Sequence, residues 1–156
     1  MPGESIKIIA ENRKARHEYF VEEAFETGVV LKGTEVKSLR LGKINLQDSY
    51  AAIEEGELYL FQMHISPYEQ GNRYNVDAKR PRKLLMHKNE IRRLFGKVKQ
   101  KGLTLVPLKI YFKHGKVKLE LALARGKKMY DKRDAEAEKD AKRNMERALR
   151  DRSRGE

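Results

Sequence analysis

The sequence predicts a mainly β domain, a small antiparallel barrel or sandwich with two inserted helices, followed by a basic tail. Three observations carry this. Val117, Leu119, Leu121 and Leu123 alternate with period two. They follow a second alternating run, Thr104, Val106, Leu108, Ile110 and Phe112, across a His114-Gly115 turn. Hydrophobicity then stops: residues 125–156 hold 12 Lys/Arg and 8 Asp/Glu and almost no bulky apolar side chain.

Taken in chain order, residues 1–8 read as a loose arm and Asn12 to His17 as a short basic turn. Tyr19 to Glu26 reads as a strand from its aromatic and β-branched content, with a helix as the alternative. Thr27-Gly28 reads as a bend or bulge before Val29-Val30-Leu31 resumes extended structure. Thr34 is placed to cap a short helix with Val36 and Leu39 on one face, ended by Gly42. Its polar face shows Glu35, Lys37 and Arg40, and the last two are candidate RNA contacts. Runs 49–53 and 58–65 flank Glu54-Glu55-Gly56-Glu57, which is hairpin spacing. Residues 66–83 contain Pro67, Gly71 and Pro81 and read as a long, mobile functional loop. Leu84 and Leu85 lead into a helix whose Ile91, Leu94, Phe95 and Val98 repeat at helical spacing. His87 with Glu90 makes an imperfect capping box, and Gly102 closes the helix. Pro107 marks the next strand as an edge or bulged one.

The length of 156 residues suits one domain, taken as 1–124, with 125–156 as an appendage. The tail cannot bury enough apolar surface to offset the entropy of ordering it, so it is expected to be disordered or loosely helical when free. Of the net charge of +12, the tail carries +4 and the body +8, and residues 73–101 alone carry +9. Such a concentration predicts a positive face that attracts phosphates. The absence of cysteine excludes disulfides, thiolate metal sites and a Cys nucleophile. No apolar run approaches the roughly 20 residues that span a bilayer, and the first residues lack a signal-peptide core. A soluble cytoplasmic protein with no membrane partner is the expectation.

Catalytic motifs are sparse. There is no Walker A loop, GxSxG or GxGxxG, and Gly126-Lys127-Lys128 is a lone Gly-Lys. His17-Glu18 with Glu22 and Glu23 is the one dense acid/His group, but strand geometry sends neighbouring side chains to opposite faces. No catalytic residue, metal or cofactor is expected. The segment Asn12-Arg13-Lys14-Ala15-Arg16-His17-Glu18-Tyr19-Phe20 is better suited to RNA. It interleaves cations, an amide and aromatics for phosphate contact, base-edge hydrogen bonds and stacking. At least one of Tyr19 and Phe20 is expected in the core. Glu26 reads as a solvated surface residue or as a hydrogen-bond acceptor on a basic RNA face. The residues alone leave three classes open: a specific RNA-binding protein, a general ribosomal-RNA binder, and a metal-dependent nuclease built on His17.

The segment from Asn12 to Phe20 also resembles SmpB, the SsrA-binding protein family of bacteria. So do Glu35-Val36-Lys37-Ser38-Leu39-Arg40, Asp48-Ser49-Tyr50, Arg82-Lys83-Leu84-Leu85 and Ala124-Arg125-Gly126-Lys127-Lys128 with Asp131-Lys132-Arg133. The resemblance implies an OB-fold-like closed antiparallel β-barrel with about three helices and a tail unstructured in the free protein. It implies binding to transfer-messenger RNA (tmRNA), with the protein standing in for the missing anticodon arm of a tRNA. Alanylated tmRNA, delivered with elongation factor Tu, then enters a ribosome stalled on truncated mRNA, and the nascent chain is tagged for degradation. The protein is a binding cofactor there, not an enzyme. Positions matching Asn12, Glu26, Leu85 and Lys116 are implied in RNA binding; for Leu85 a helix-start core role stays open beside that. Gly126, Lys127, Lys128, Tyr130, Asp131, Lys132 and Arg133 are implied at the decoding centre of the small-subunit rRNA. The rest of the tail would become helical in the mRNA channel, with Ala141, Met145, Ala148 and Leu149 as its apolar stripe. Some relatives carry His where this chain has Tyr130; stacking on an rRNA base would tolerate that change, and a need for imidazole charge would not.

Overall fold

β-Hairpins dominate the computed structural model, which describes residues 5–70, 75–127 and 141–150. The architecture is mixed α/β and rich in sheet. The strands are β1 (Ile6–Glu11), β2 (Tyr19–Val29), β3 (Ile44–Asn45), β4 (Tyr50–Glu54), β5 (Glu57–Phe61), β6 (His64–Ile65), β7 (Arg82–Leu85), β8 (Thr104–Lys113) and β9 (Lys116–Gly126). Between them lie α1 (Arg13–Glu18), α2 (Gly33–Arg40) and α3 (Lys88–Lys101). A fourth helix, α4, covers 141–150. Seven strands join in the order β1-β8-β4-β5-β7-β2-β9, and β9 pairs with β8 as well. β3 and β6 form a separate ribbon.

Both expected hairpins are present. β8 and β9 turn through His114 (φ 52°) and Gly115 (φ 76°), and β4 and β5 through Glu55 (φ 51°) and Gly56 (φ 78°). Two positive φ values in succession match the right-handed twist of the flanking strands. The second run of the latter hairpin is broken: β5 stops at Phe61, Gln62 has φ 66°, and β6 starts at His64.

The alternation expected through β8 fails at Pro107. The register with β9 shifts between Pro107 and Lys109, leaving Leu108 as the extra residue. A bulge of this kind swaps the faces of everything beyond it. Leu105 and Ile110 therefore enter the main core with Leu58, Leu84, Leu94 and Leu121. Val106 and Leu108 instead join Ala15, Ala122 and Ala124 in a second cluster, with Tyr19 packed against it. β8 is bulged, as Pro107 indicated, but it is no edge strand, since it pairs with β1, β4 and β9.

Several local expectations are corrected. The supposed loose arm, 1–8, overlaps the start of β1, which pairs along β8 from Ile6↔Lys113 to Glu11↔Lys109. Its side chains stay largely exposed, so backbone pairing rather than burial makes it a strand. The basic turn is helix α1, because Asn12 caps it. Thr27-Gly28 does not bend: β2 runs through it, the Thr27 hydroxyl donates to Leu119 O at 3.1 Å, and the irregularity lies at Val21/Glu23. α2 starts at Gly33, with the Lys32 N–H donating to Glu35 Oε1 at 2.9 Å in place of a Thr34 cap. Leu84 and Leu85 belong to strand β7 rather than to the lead-in of α3. α3 begins after His87, which makes no side-chain cap bond, and ends at left-handed Gly102 (φ 62°), as its sequence indicated.

The long connection after β6 is tied down where it is described. Ile65 N–H donates to Ala78 O at 2.9 Å, and Asn75 exchanges two hydrogen bonds with the Tyr68 backbone. Gly71 and Arg73 lie outside the described residues. At the far end β9 runs to Gly126, two residues past the expected end of the body, pairing Arg125 with Phe20 and Gly126 with Tyr19.

Candidate nucleic-acid interface

Inward-pointing Leu119 and Leu121 force Lys118 and Glu120 of β9 onto the outer face of the sheet. Register then assembles a row across four strands. Leu85 of β7 faces Gly28 of β2, which faces Lys118 of β9, which faces Tyr111 of β8. The next row holds Glu26, Glu120 and Lys109. Leu85 is 52 % exposed, which removes the helix-start core reading of that residue.

Glu26 is the hub of this surface. Its Oε2 accepts from Tyr111 Oη at 2.5 Å and from Lys113 Nζ at 3.2 Å. The Tyr111 bond, then Lys113 and the charge of Lys118, hold its carboxyl below the ordinary carboxylate value against the opposing effect of burial. The carboxylate is thus ionised and orients cations that a phosphate would meet. Glu120 acts similarly toward Lys109 at 3.9 Å and Arg16 of α1 at 3.8 Å. Lys116 opens β9 opposite Lys113, so it stands at the same end of the sheet as Glu26. Tyr111, Lys113, Lys118 and Lys109 were missed by motif reading, yet the alternation in β9 already placed Lys118 and Glu120 outside.

Asn12 has a different place. It is 4 % exposed; its Nδ2 donates to Pro107 O at 3.0 Å and Leu46 O at 3.3 Å, and its Oδ1 accepts from Ala15 N–H at 3.2 Å. Its own N–H donates to Leu108 O at 2.8 Å. Asn12 therefore fastens α1 to the β8 bulge, with its side-chain bonding capacity turned inward. α1 then presents Arg13, Arg16 and His17 to solvent, while Lys14 pairs with Asp48 at 2.8 Å. Tyr19 packs on the second cluster, and Phe20 is 47 % exposed, so one of the two aromatics is core and the other is not.

α2 carries a further basic patch. Arg40 is exposed, and Lys37 Nζ lies 5.4 Å from the Tyr68 ring centre. Glu35, read as part of that polar face, is instead 3 % exposed. It receives Arg82 at 2.6 Å and Arg80 at 2.5 Å, and Arg82 is 0 % exposed and reaches Met63 O and Ala78 O. Burial raises the Glu35 carboxyl, but bonds from Arg80, the Lys32 N–H and Arg82 outweigh it and leave the value lowered. This network pins α2 to β7 and to the connection after β6. On α3, Arg93 and Lys97 hold Glu23 of β2 at 3.3 and 3.0 Å.

At the exit of the sheet, Arg125 pairs with Glu22 at 2.7 Å and Lys127 Nζ lies 5.0 Å from the Phe20 ring centre. Lys128, Tyr130, Asp131, Lys132 and Arg133 lie outside the described residues. Residues 141–150 are helical and exposed, including Met145 and Leu149. Among the described residues no three His, Asp or Glu side chains gather as a metal site, and no helix is long and apolar enough to cross a membrane.

A family model described as SmpB protein matches residues 9–151. The chain belongs to the SmpB family. Among relatives, the SsrA-binding protein of Carboxydothermus hydrogenoformans is 67 % identical over 144 residues, covering 92 % of this chain and 97 % of that one. The SsrA-binding protein of Desulforudis audaxviator is 63 % identical over 150 residues, covering 96 % and 98 %. That of Bacillus velezensis is 58 % identical over 155 residues, with 99 % of each chain covered. A solved SmpB structure, described as "tmRNA-SmpB: a journey to the center of the bacterial ribosome", superimposes with a TM-score of 0.64 at 61 % identity, over 76 % of this chain and 83 % of that one. In this SmpB-family chain the outer face of β7, β2 and β9 thus combines exposed Leu85 with the lysines around Glu26 and Glu120.

Proposed function

We propose that this chain is a tmRNA-binding protein of trans-translation. Membership of the SmpB family, at 67 % identity to an SsrA-binding protein over nearly its whole length, carries this reading. The surface supports it physically. Leu85, Glu26 and Lys116 share one end of the sheet with Lys113 and Lys118, and Lys113 there is held by the Glu26 carboxylate. Preorganised cations and an exposed apolar side chain suit a structured RNA, where phosphates position and bases specify.

In this reading Arg13, Lys14, Arg16, His17, Tyr19, Lys37 and Arg40 add RNA contacts, and Asn12 serves by positioning α1. The protein works as a binding partner rather than a catalyst: with alanyl-tmRNA it replaces an anticodon arm and rescues ribosomes stalled on truncated mRNA. The nascent chain is then tagged for degradation. Elongation factor Tu belongs to the delivery complex, and the setting is the cytoplasm. The tail, with Gly126, Lys127, Lys128, Tyr130, Asp131, Lys132 and Arg133, enters the decoding centre, and 141–150 continues into the mRNA channel. The body is an OB-fold-like closed barrel; the circuit of pairings β8–β4–β5–β7–β2–β9–β8 supports that shape. It forms one unit that ends with β9 at Gly126 rather than at the expected 124, and the residues after it serve as a separate working arm.

The test is binding to tmRNA against an unrelated structured RNA of equal length, at low and moderate salt. Selectivity that survives added salt is expected, with Glu26→Arg weakening tmRNA binding. Equal binding that collapses with salt would leave only phosphate attraction and favour a general rRNA binder.

A further inference from the structure

A cleft between α1 and the start of β4 lies apart from the Glu26 rows. It encloses about 250 Å³. Sites for drug-sized ligands span roughly 300–1,000 Å³, so this one suits a single ring system. Tyr19 and Tyr50 both line it, together with Lys14, Glu18, Asp48 and Thr104. The Tyr50 ring lies on that of Phe61, with centres 5.5 Å apart and planes at 23°. Tyr59 meets Phe61 in turn at 6.4 Å, so Tyr50 is held as the outermost member of an aromatic series. Tyr50 nevertheless stays 44 % exposed.

A purely structural role for Tyr50 would be a cross-strand pair with Phe61. That pair needs neither the cleft nor the polar groups around it. Lys14 and Asp48, 2.8 Å apart, bring a donor and an acceptor together beside the ring. Arg13 and Arg16 on the same helix are exposed. An exposed, pre-oriented aromatic beside a basic helix is the arrangement that takes an unpaired base, because every base offers a π-face and its phosphates follow the cations. Resting on the RNA-binding reading above, we propose that this cleft receives one unpaired RNA base stacked on Tyr50.

The full-length protein is irradiated with tmRNA substituted with 4-thiouridine and, separately, with ribosomes whose RNA carries the same label; cross-linked peptides are mapped. A cross-link to Tyr50 or Tyr19 is expected, and the arm that yields it names the RNA. No cross-link there in either arm overturns the proposal. In parallel, a single-stranded octaribonucleotide containing 2-aminopurine should be quenched on binding. Tyr50→Phe keeps this, and Tyr50→Ala weakens binding by at least about fivefold. Wild-type affinity in Tyr50→Ala overturns the proposal. The wild-type cross-link stands even if the alanine variant folds poorly. Selective tmRNA binding without either signal sinks the cleft alone, whereas loss of that selectivity in the wild-type protein sinks the function it rests on.

Discussion

Gly28 and Leu85 face one another across β2 and β7, and a Cβ added to Gly28 would stand 3.2 Å from Leu85 Cβ. The glycine is therefore the floor on which Leu85 lies. Gly28→Ala pushes Leu85 outward by a few tenths of an ångström. Gly-to-Ala in a strand stabilises by roughly 0.5–1 kcal/mol, which offsets the crowding. Thermal stability should change little while tmRNA affinity falls. Unchanged affinity in a titration would show that the position of Leu85 is unimportant.

Asn12→Ala should lower stability and RNA binding together. It removes an N-cap and two buried bonds to Pro107 O and Leu46 O. Loss of the cap costs about 1 kcal/mol, and the stranded polar groups add to it. Urea unfolding measures the first effect and tmRNA titration the second. A fully stable variant with weak binding would point to direct contact instead of positioning.

Glu35→Gln should destabilise by about 3–5 kcal/mol, because it strands the buried Arg82 charge. Coupling it with Arg82→Met should recover much of the loss. The pH dependence has a definite sign. A carboxyl lowered from 4.5 in the folded state stabilises above that pH, and the contribution fades as pH falls through the folded value. Melts of the wild type from neutral pH into acid should therefore decline more steeply than those of Glu35→Gln.

Truncation after Lys127 keeps all of β9 with the Arg125–Glu22 pair. It should retain tmRNA affinity and abolish tagging in a reconstituted translation assay. A truncated protein that still supports tagging would refute the division between body and tail.

The hairpins and α3 were legible because their signals are local: a turn dipeptide with alternating neighbours, or apolar residues three and four apart. The β8 face pattern was not, since a bulge at Pro107 changes the meaning of every position after it. β1 escaped notice because its strand forms through backbone bonds to β8 and buries little. Glu35 looked like surface because its partners Arg80 and Arg82 are more than forty residues away. Glu26 and Leu85 carried a family signal, but their convergence depends on strand register, which no single segment encodes.

β9 is also a ruler. Lys118 in the outer row and Gly126 at the exit lie on one strand, paired on both sides over most of its length. At about 3.3 Å per residue, the eight steps between them set a span of roughly 26 Å. If the outer row binds RNA as proposed, its distance from the point where the chain leaves the sheet is fixed by this strand. An insertion of two residues in β9 would preserve every inward and outward side chain and still spoil the measure.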